Sequence, residues 1–263
     1  MINFVCYATL ALMGLLFSMA LFFFVLTRGA LAVRRVLGHQ GVSAHVYPLY
    51  SNKFLIRLVD FQPLISGILL FQYPRLVSRI AQGLRQTDLR GKVVAVTSCA
   101  FGNVVPRVVQ AAVEANAQKV LVADLLRNEL IQAETKLGDF AAHVAYLEED
   151  ATRMPLADGS VAANILFFLL HELPHPMKAQ VLIEAARVLA PGGTLYIAEF
   201  HRPRIWPLRL SGWLYFKVFE PYGLALWDSE DPLQFLRARG NWTFRRSTYL
   251  FGNYQVLLAT KAA

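Results

Sequence analysis

Two short stretches of the chain carry side chains suited to acid–base or metal chemistry. His171 and Glu172 follow one apolar run, while Glu199 and His201 lie at the end of the next. Imidazole exchanges protons near neutral pH, and an imidazole–carboxylate set without a cysteine cluster suits Mn²⁺ as well as Zn²⁺. His171, Glu172 and His201 are therefore catalytic candidates, and His171, Glu199 and His201 form a candidate metal set. The alternative is that both histidines are hydrogen-bonded loop residues.

Alternating strands and helices must bring these side chains together. Short apolar strands alternating with helices predict an α/β fold with a parallel, doubly wound sheet, whose ligands bind at the carboxyl ends of the strands. Two further strands joined by Phe251-Gly-Asn predict a terminal antiparallel hairpin. The predicted strands begin at Val93, Lys119, Val144, Ala162, Thr194, Trp242 and Tyr254, with helices over 104–117, 126–137 and 177–189.

The order of these features resembles the class I S-adenosylmethionine-dependent methyltransferases over roughly residues 75–263. The resemblance rests on the strand and loop from Val93, on acids after the second and third strands, and on Arg187-Val-Leu-Ala-Pro-Gly-Gly. It implies S-adenosyl-L-methionine as cofactor, with Asp124 accepting hydrogen bonds from the ribose hydroxyls. Asp150, with Ala151, would meet the adenine edge. Each acid could instead cap the helix that follows it.

The first loop departs from the pattern of these methyltransferases, which have an acid followed by glycines at alternate positions. Val96, Ser98 and Ala100 replace the acid and the first two glycines, and Gly102 is kept. The resemblance implies that Ser98, Cys99, Ala100 and Gly102 lie beside the methionine part of the cofactor. Because the acid is missing, either cofactor binding is lost or the amino-acid end is held differently.

A narrower resemblance is to the rhodoquinone-biosynthesis (RquA) family. It is carried by four separated segments, Ser98-Cys-Ala-Phe-Gly-Asn-Val-Val-Pro, Phe167-Phe-Leu-Leu-His-Glu-Leu-Pro, Glu199-Phe-His-Arg-Pro and Phe219-Glu-Pro-Tyr-Gly-Leu-Ala-Leu-Trp. The resemblance implies conversion of ubiquinone to rhodoquinone, in which an amino group from S-adenosylmethionine replaces a ring methoxy group with Mn²⁺ assistance. Two alternatives are a methyltransferase acting on a quinone precursor or lipid, and a non-catalytic membrane interaction protein.

The composition predicts that the protein is attached to a membrane. The 263 residues are 56 % apolar and 17 % charged, which excludes disordered, collagen-like and coiled-coil proteins. Residues 2–27 carry no charge, and a helix of that length spans about 39 Å against a hydrocarbon core of roughly 30 Å. The first charge, Arg28, follows the run, whereas a signal peptide carries positive charge before it. We predict a transmembrane anchor over 1–28; a cleaved signal peptide and a buried core helix are the alternatives.

The positive charge is concentrated near the N-terminus. Residues 1–90 hold nine Lys/Arg and two Asp, a net +7 of the total +8. This placement favours anionic lipid headgroups over nucleic acid as the partner. Arg28, Arg34 and Arg35 follow the apolar run, so the positive-inside rule predicts a bacterial inner-membrane protein whose catalytic domain is cytoplasmic. Cys6 and Cys99 imply no disulfide framework.

The remaining segments complete the predicted organisation. Residues 29–90 read as a basic amphipathic helical connector, either a lid on the next domain or partly a membrane-interface element. Residues 91–263 form the predicted S-adenosylmethionine-binding domain. Three of the four tryptophans fall within 205–227, which predicts either a core helix or a hydrophobic lid over a quinone tail. A lipid-soluble quinone is the expected substrate.

Overall fold

The computed structural model describes residues 2–29, 32–33, 36–37, 53–99 and 101–263. Three predicted residues, Ala100, Arg34 and Arg35, lie outside this described part, as does most of the first half of the predicted connector.

Seven strands form one sheet in the order β3-β2-β1-β4-β5-β7-β6. The first five strands pair in parallel, and β7 runs antiparallel to both β5 and β6. The predicted doubly wound sheet with a terminal antiparallel hairpin is therefore confirmed. The strands are β1 Val93–Thr97, β2 Lys119–Asp124, β3 Val144–Glu148, β4 Val161–Phe167, β5 Leu189–Phe200, β6 Trp242–Tyr249 and β7 Tyr254–Lys261.

Helices cover both faces of this sheet, which is why β4 is buried along its whole length. The described helices are α1 Ile2–Phe24, α2 Lys53–Val59, α3 Gln62–Ile68, α4 Tyr73–Arg85, α5 Val104–Glu114, α6 Arg127–Thr135, α7 His175–Val188, α8 Trp206–Val218 and α9 Pro232–Arg237. A π-helical turn, Val25–Gly29, follows α1, and short 3₁₀ turns occur at Gly138–His143, Leu170–Glu172 and Gly223–Trp227.

The Pro-Gly-Gly sequence lies inside a strand instead of in a turn before it. β5 begins at Leu189, earlier than the predicted start at Thr194, and its pairing with β4 shifts register beside this sequence. Gly192 has a φ of +73°, and a Cβ on Gly193 would lie 2.9 Å from the carbonyl oxygen of Ala162. Both glycines are needed because the chain bulges there while staying against β4.

The helices before the sheet pack onto it. α4 buries one apolar face that includes Leu76, Ile80 and Leu84, and places Arg75 and Arg79 on its other side. Ile56 of α2 and Ile65 of α3 are also buried. The connector helices thus contribute to the core of the domain, and their role as a lid stays a prediction.

The predicted membrane anchor finds no support. Several side chains of α1 lie outside the described residues, and within the described part no helix is long and apolar enough to cross a membrane. The α1 helix instead contributes Met19 and Ala20 to the wall of a cavity in the domain. The Arg28 guanidinium, just after α1, donates a hydrogen bond to the carbonyl oxygen of Lys217, at 2.5 Å.

Candidate functional site

A cavity of about 510 Å³ lies at the carboxyl edge of the sheet. It opens between β1 and β4, where the strand order reverses, which is the ligand position expected for a doubly wound sheet. One part is polar and is lined by Ser98, Asp124, Glu129, Glu149, Asp150 and Thr152. The rest is mainly apolar and aromatic, with contributions from α1, α3, α8, the end of β5 and the segment after β4, including Met19, Ile65, Ile68, Phe168, Phe200 and Tyr215.

His171 and Glu199 form a buried pair behind the apolar part. The Nδ1 atom of His171 lies 3.0 Å from Oε1 of Glu199 and 3.3 Å from Oε2. The Glu199 carboxylate also accepts backbone N–H hydrogen bonds from Leu170 at 3.0 Å and from Phe200 at 2.8 Å. Since Glu199 occupies Nδ1, Nε2 is the ring nitrogen available to a ligand in the cavity.

The electrostatics of this pair favour a charged imidazole. Burial lowers the pKa of His171, but the charge and hydrogen bond of Glu199, aided by the charges of Glu220 and Glu172, outweigh it. The resulting pKa is about 9. His171 is thus an imidazolium at neutral pH and serves as a hydrogen-bond donor rather than as a base.

Phe168, between β4 and His171, has an unusual backbone. Its φ is +54°, a conformation that costs a bulky residue of the order of 1 kcal/mol or more. Its N–H donates to the carbonyl oxygen of Ala198 at 2.8 Å, and its ring packs edge-on against His171 and Phe200. These contacts hold the strained turn that aims His171 at the cavity.

Asp124 joins the first loop to the polar part of the cavity. Its Oδ2 accepts the Cys99 N–H at 2.7 Å and its Oδ1 accepts the Leu126 N–H at 2.9 Å. Burial raises the pKa of Asp124 to about 6, although bonds from Cys99, Leu126 and Ser98 lower it. A backbone bond from Leu125 is the fourth, and an ionised carboxylate has about four acceptor sites, so a ligand hydroxyl must share these oxygens with the protein donors.

The first loop obtains its shape without a glycine-rich sequence. Ser98 adopts a φ of +77° and Gly102 a φ of +78°. The Tyr73 hydroxyl donates to the carbonyl oxygen of Phe101 at 2.9 Å and accepts the Val104 N–H at 2.8 Å. A Cβ on Gly102 would lie 2.6 Å from this hydroxyl, so tyrosine and glycine are required together.

An ion pair fixes the outer side of the same loop. Asp60, between α2 and α3, accepts the Gly102 N–H at 2.7 Å and pairs with Lys136 Nζ at 2.8 Å. Lys136 also donates to the carbonyl oxygen of Gly102 at 2.9 Å. The connector helices therefore hold the loop in place.

The predicted acid after β3 takes part in a local turn. Asp150 Oδ1 accepts both the N–H and the hydroxyl of Thr152, each at 2.8 Å. No helix lies in the described segment between β3 and β4, so this contact shapes a turn and is not the helix cap given as the alternative; Asp150 and Ala151 also line the cavity. Their contact with adenine stays a prediction.

The predicted metal set is wrong in its third member. His201 lies outside the cavity, with Nδ1 donating to the carbonyl oxygen of Gly252 at 2.8 Å and Nε2 3.4 Å from Nη1 of Arg246. Burial lowers the pKa of His201, and the charge of Arg246 adds to this although the bond to Gly252 opposes it. A guanidinium facing the only remaining ring nitrogen repels a cation.

The rest of the set does not fit a metal ion either. The oxygens of Glu199 are taken by backbone N–H groups and by His171. Across the described residues no three His, Cys, Asp or Glu side chains are arranged to hold a metal. The described residues therefore do not form the Mn²⁺ site implied by the narrower resemblance.

Most of the other predicted residues meet at one cavity, lined by Ser98, Cys99, Asp124, Asp150, Ala151, His171 and Glu172. Gly102 shapes the loop, and Glu199 lies behind His171. Sequence reasoning missed Tyr73, Asp60 and Glu129. Of these, Glu129 gave a signal, because it shares a helix face with Ala133, four residues on, and an acid on a buried face is rare.

Similarity to known proteins agrees with this geometry. Residues 98–197 match the family model described as a methyltransferase domain. The chain is 30 % identical over 124 residues to the ubiquinone/menaquinone biosynthesis C-methyltransferase UbiE of Paracoccus denitrificans, covering 45 % of this chain and 48 % of that protein. It is 33 % identical over 129 residues to demethylmenaquinone methyltransferase of Protochlamydia amoebophila, covering 48 % and 52 %. The matches thus span about half the length of these relatives.

Solved structures share the fold. An O-methyltransferase family protein from Burkholderia thailandensis superposes with a TM-score of 0.59 at 17 % identity, covering 76 % of this chain and 59 % of that one. The N-methyltransferase NodS of Bradyrhizobium japonicum, in complex with S-adenosyl-L-homocysteine, gives 0.55 at 11 % identity, covering 78 % and 91 %. Residues 98–197 thus match a methyltransferase domain, and the chain shares the fold of these methyltransferase structures. The two curated relatives are named as methyltransferases of ubiquinone/menaquinone biosynthesis and of demethylmenaquinone.

Proposed function

We propose that the protein is an S-adenosylmethionine-dependent methyltransferase acting on a lipid-soluble quinone precursor in its reduced, quinol form. The observation that carries this proposal is the single cavity that combines a polar, acid-lined part with an aromatic part beside the His171–Glu199 pair. The similarity to demethylmenaquinone and ubiquinone/menaquinone C-methyltransferases supports the substrate class.

The polar part suits the cofactor. Asp124 is a buried acceptor whose oxygens a ligand hydroxyl can share with the backbone donors, and one oxygen of Glu129 is buried without a partner. These acceptors match the hydroxyl and amine donors of S-adenosylmethionine. When bound, the cofactor supplies an electrophilic methyl group on its sulfonium.

The residues around the aromatic part then activate the quinol that receives the methyl group. His171, held charged by Glu199, donates its Nε2–H to a quinol oxygen and stabilises that oxygen as an anion, which makes the neighbouring ring carbon nucleophilic. Glu172 and Glu220 line the cavity as acceptors for the protons that leave the hydroxyl and, after methylation, the ring. The aromatic walls exclude water and hold the ring and its tail.

An isotope experiment tests the reaction. The detergent-solubilised protein is incubated anaerobically, with and without Mn²⁺, with a demethylated quinol or ubiquinol and with S-adenosylmethionine carrying a ¹³C-methyl group and ¹⁵N. Mass spectrometry of a methylated product with ¹³C and no ¹⁵N supports the proposal. Incorporation of ¹⁵N into the ring instead supports the rhodoquinone-type amination implied by the narrower resemblance, and a quinone without either label overturns both.

Two matched variants test the role of His171. His171→Asn should lower turnover at least about 100-fold, because the charge at the quinol oxygen is lost, while cofactor affinity stays unchanged. His201→Asn, outside the cavity, should keep most of the activity. Equal losses in the two variants would contradict the assignment of His171.

We further infer that the protein works at the cytoplasmic face of a bacterial inner membrane. The basic N-terminal third supports this, as do the exposed apolar residues near the cavity, among them Phe61, Phe71 and Trp206. Carbonate extraction of membranes separates the outcomes. Protein that stays in the membrane indicates an inserted first segment, release by carbonate indicates surface binding, and recovery in the soluble fraction before extraction overturns the inference.

A further inference from the structure

The amino-acid end of S-adenosylmethionine poses an electrostatic problem for this site. It carries an α-ammonium group, and burying a cation is costly unless an anion or several acceptors pair with it. Residues 93–103, which comprise β1 and the first loop, contain no Asp or Glu. An anionic partner for the ammonium group must therefore come from another element.

Glu129 has the properties of that acceptor. It lies in the first turn of α6, lines the cavity and is 4 % exposed. Its Oε1 is buried and has no hydrogen-bond partner. A buried acceptor without a partner is costly, and a ligand that donates a hydrogen bond removes that cost.

Two other acids of the polar part are already engaged. Both oxygens of Asp124 accept backbone N–H groups, and Asp150 accepts two hydrogen bonds from Thr152. Lys136, the lysine that acts on Glu129, donates to Asp60 and to Gly102. Glu129 therefore combines burial, cavity exposure and a missing partner.

Other acids surround Glu129. Asp124, at the end of β2, and Glu172, after β4, both interact with it electrostatically. Burial raises the pKa of Glu129 to about 9, with Asp124, Asp60 and Glu172 adding to the effect and Lys136 opposing it. Without a ligand the Glu129 carboxyl therefore keeps its proton at neutral pH, and a cation bound there favours the ionised form, with release of that proton to solvent.

We propose that the Glu129 carboxylate anchors the α-ammonium group of bound S-adenosylmethionine, taking the place of an acid at the end of β1. This proposal rests on the cofactor of the proposed function. The anchor comes from α6, the helix that follows β2, instead of from the first strand.

Calorimetric binding to the full-length protein tests the anchor with three ligands. S-adenosylmethionine and S-adenosylhomocysteine both carry the ammonium group, whereas 5′-methylthioadenosine lacks it. Glu129→Gln should weaken binding of the first two about 10- to 100-fold and leave the third unchanged. Glu134→Gln, an exposed change on the same helix, should alter none of the three affinities.

The outcomes separate this proposal from the function on which it rests. Wild-type protein that binds S-adenosylmethionine with the same affinity as Glu129→Gln overturns the anchor and leaves the methyltransferase proposal standing. A loss confined to S-adenosylmethionine shows that Glu129 faces the sulfonium and overturns the ammonium assignment. Wild-type protein that binds neither cofactor form overturns both proposals, and thermal unfolding of each variant verifies that it is folded.

Discussion

At the scale of single residues, Glu199 both holds the His171 imidazole in place and keeps it charged. Glu199→Gln removes the negative charge while keeping the size, so the pKa of His171 should fall from about 9 to near or below its ordinary 6.5. Titration of the imidazole signals by NMR measures this shift. The His201 signals should not move, because its contacts are Gly252 and Arg246. A His171 that still titrates near pH 9 would contradict the pairing.

The same pair sets a pH dependence of stability. The folded-state pKa of His171 lies above its unfolded value, so the charged pair stabilises the protein fully below about pH 6.5. That contribution is lost as the pH rises through about 9. Glu199→Gln lacks it, so the difference in unfolding free energy between wild type and variant should shrink over this range. Chemical denaturation at several pH values measures it.

The buried carboxyl of Glu129 should add a second pH dependence to the stability of the protein. Its pKa rises on folding from 4.5 to about 9, so the folded state binds the proton more tightly and wild-type stability falls as pH rises between these values. Glu129→Gln cannot ionise. Relative to wild type, its unfolding free energy should therefore increase by about 1 kcal/mol or more between pH 6 and pH 9.

Denaturant titrations in the absence of cofactor measure this difference. The groups that act on Glu129, namely Asp124, Asp60, Glu172, Cys99 and Lys136, are common to both proteins and cancel to first order. Glu134→Gln, exposed on the same helix, should show no pH-dependent difference. A flat difference for Glu129→Gln would mean that the carboxyl is not buried as described.

At the scale of elements, α4 and the first loop act as one unit through the Tyr73 hydroxyl. Tyr73→Phe leaves the Val104 N–H and the Phe101 carbonyl without this partner, which should lower the free energy of unfolding by about 1–3 kcal/mol. Because the loop lies at the cofactor end of the cavity, affinity for S-adenosylmethionine should fall as well.

Tyr196→Phe is the matched control for this prediction. Tyr196 is equally buried, and its hydroxyl lies 3.1 Å from that of Thr87, away from the cavity. We expect it to cost stability without changing cofactor affinity. Equal affinity losses in the two variants would show that global destabilisation, not the loop, controls binding.

The elements also show which parts of the fold can be predicted from the sequence. The bounds of β1 and β2 follow directly from their apolar runs. The start of β5 does not follow from the sequence, because Pro-Gly-Gly is typical of a turn. Only the close approach of Gly193 to Ala162 shows that the chain bulges within the strand. His171 and His201 both follow strand ends, but the direction of a side chain after a strand depends on partners such as Gly252 that lie far along the chain.

The same limit explains the residues that were missed. Tyr73 and Asp60 act on a loop about 30 to 40 positions later, so no local pattern connects them to it. The loop itself appeared eroded because its glycines are replaced. Its conformation is instead supplied by Ser98 at positive φ and by contacts from the connector helices.

At the scale of the whole molecule, the apolar surface is unevenly distributed. Exposed apolar residues cluster on α1, on α2, α3 and the turn after it, and on α8, where Trp206, Leu210 and Trp213 recur at helical spacing. These elements also supply part of the apolar wall of the cavity. A bilayer on this side would lie next to the site of a lipid-soluble substrate.

This arrangement predicts which tryptophans meet lipid. Trp206 and Trp213 are 72 % and 45 % exposed on α8, whereas Trp242 pairs with Lys261 at the opposite edge of the sheet, near the amino end of β5. Vesicles of anionic phospholipid with brominated chains should therefore quench the fluorescence of the wild type and of Trp242→Phe. The Trp206→Phe/Trp213→Phe variant should lose most of this quenching, since bromine quenches only at close range. Unchanged quenching in that variant would place another face of the molecule against the membrane.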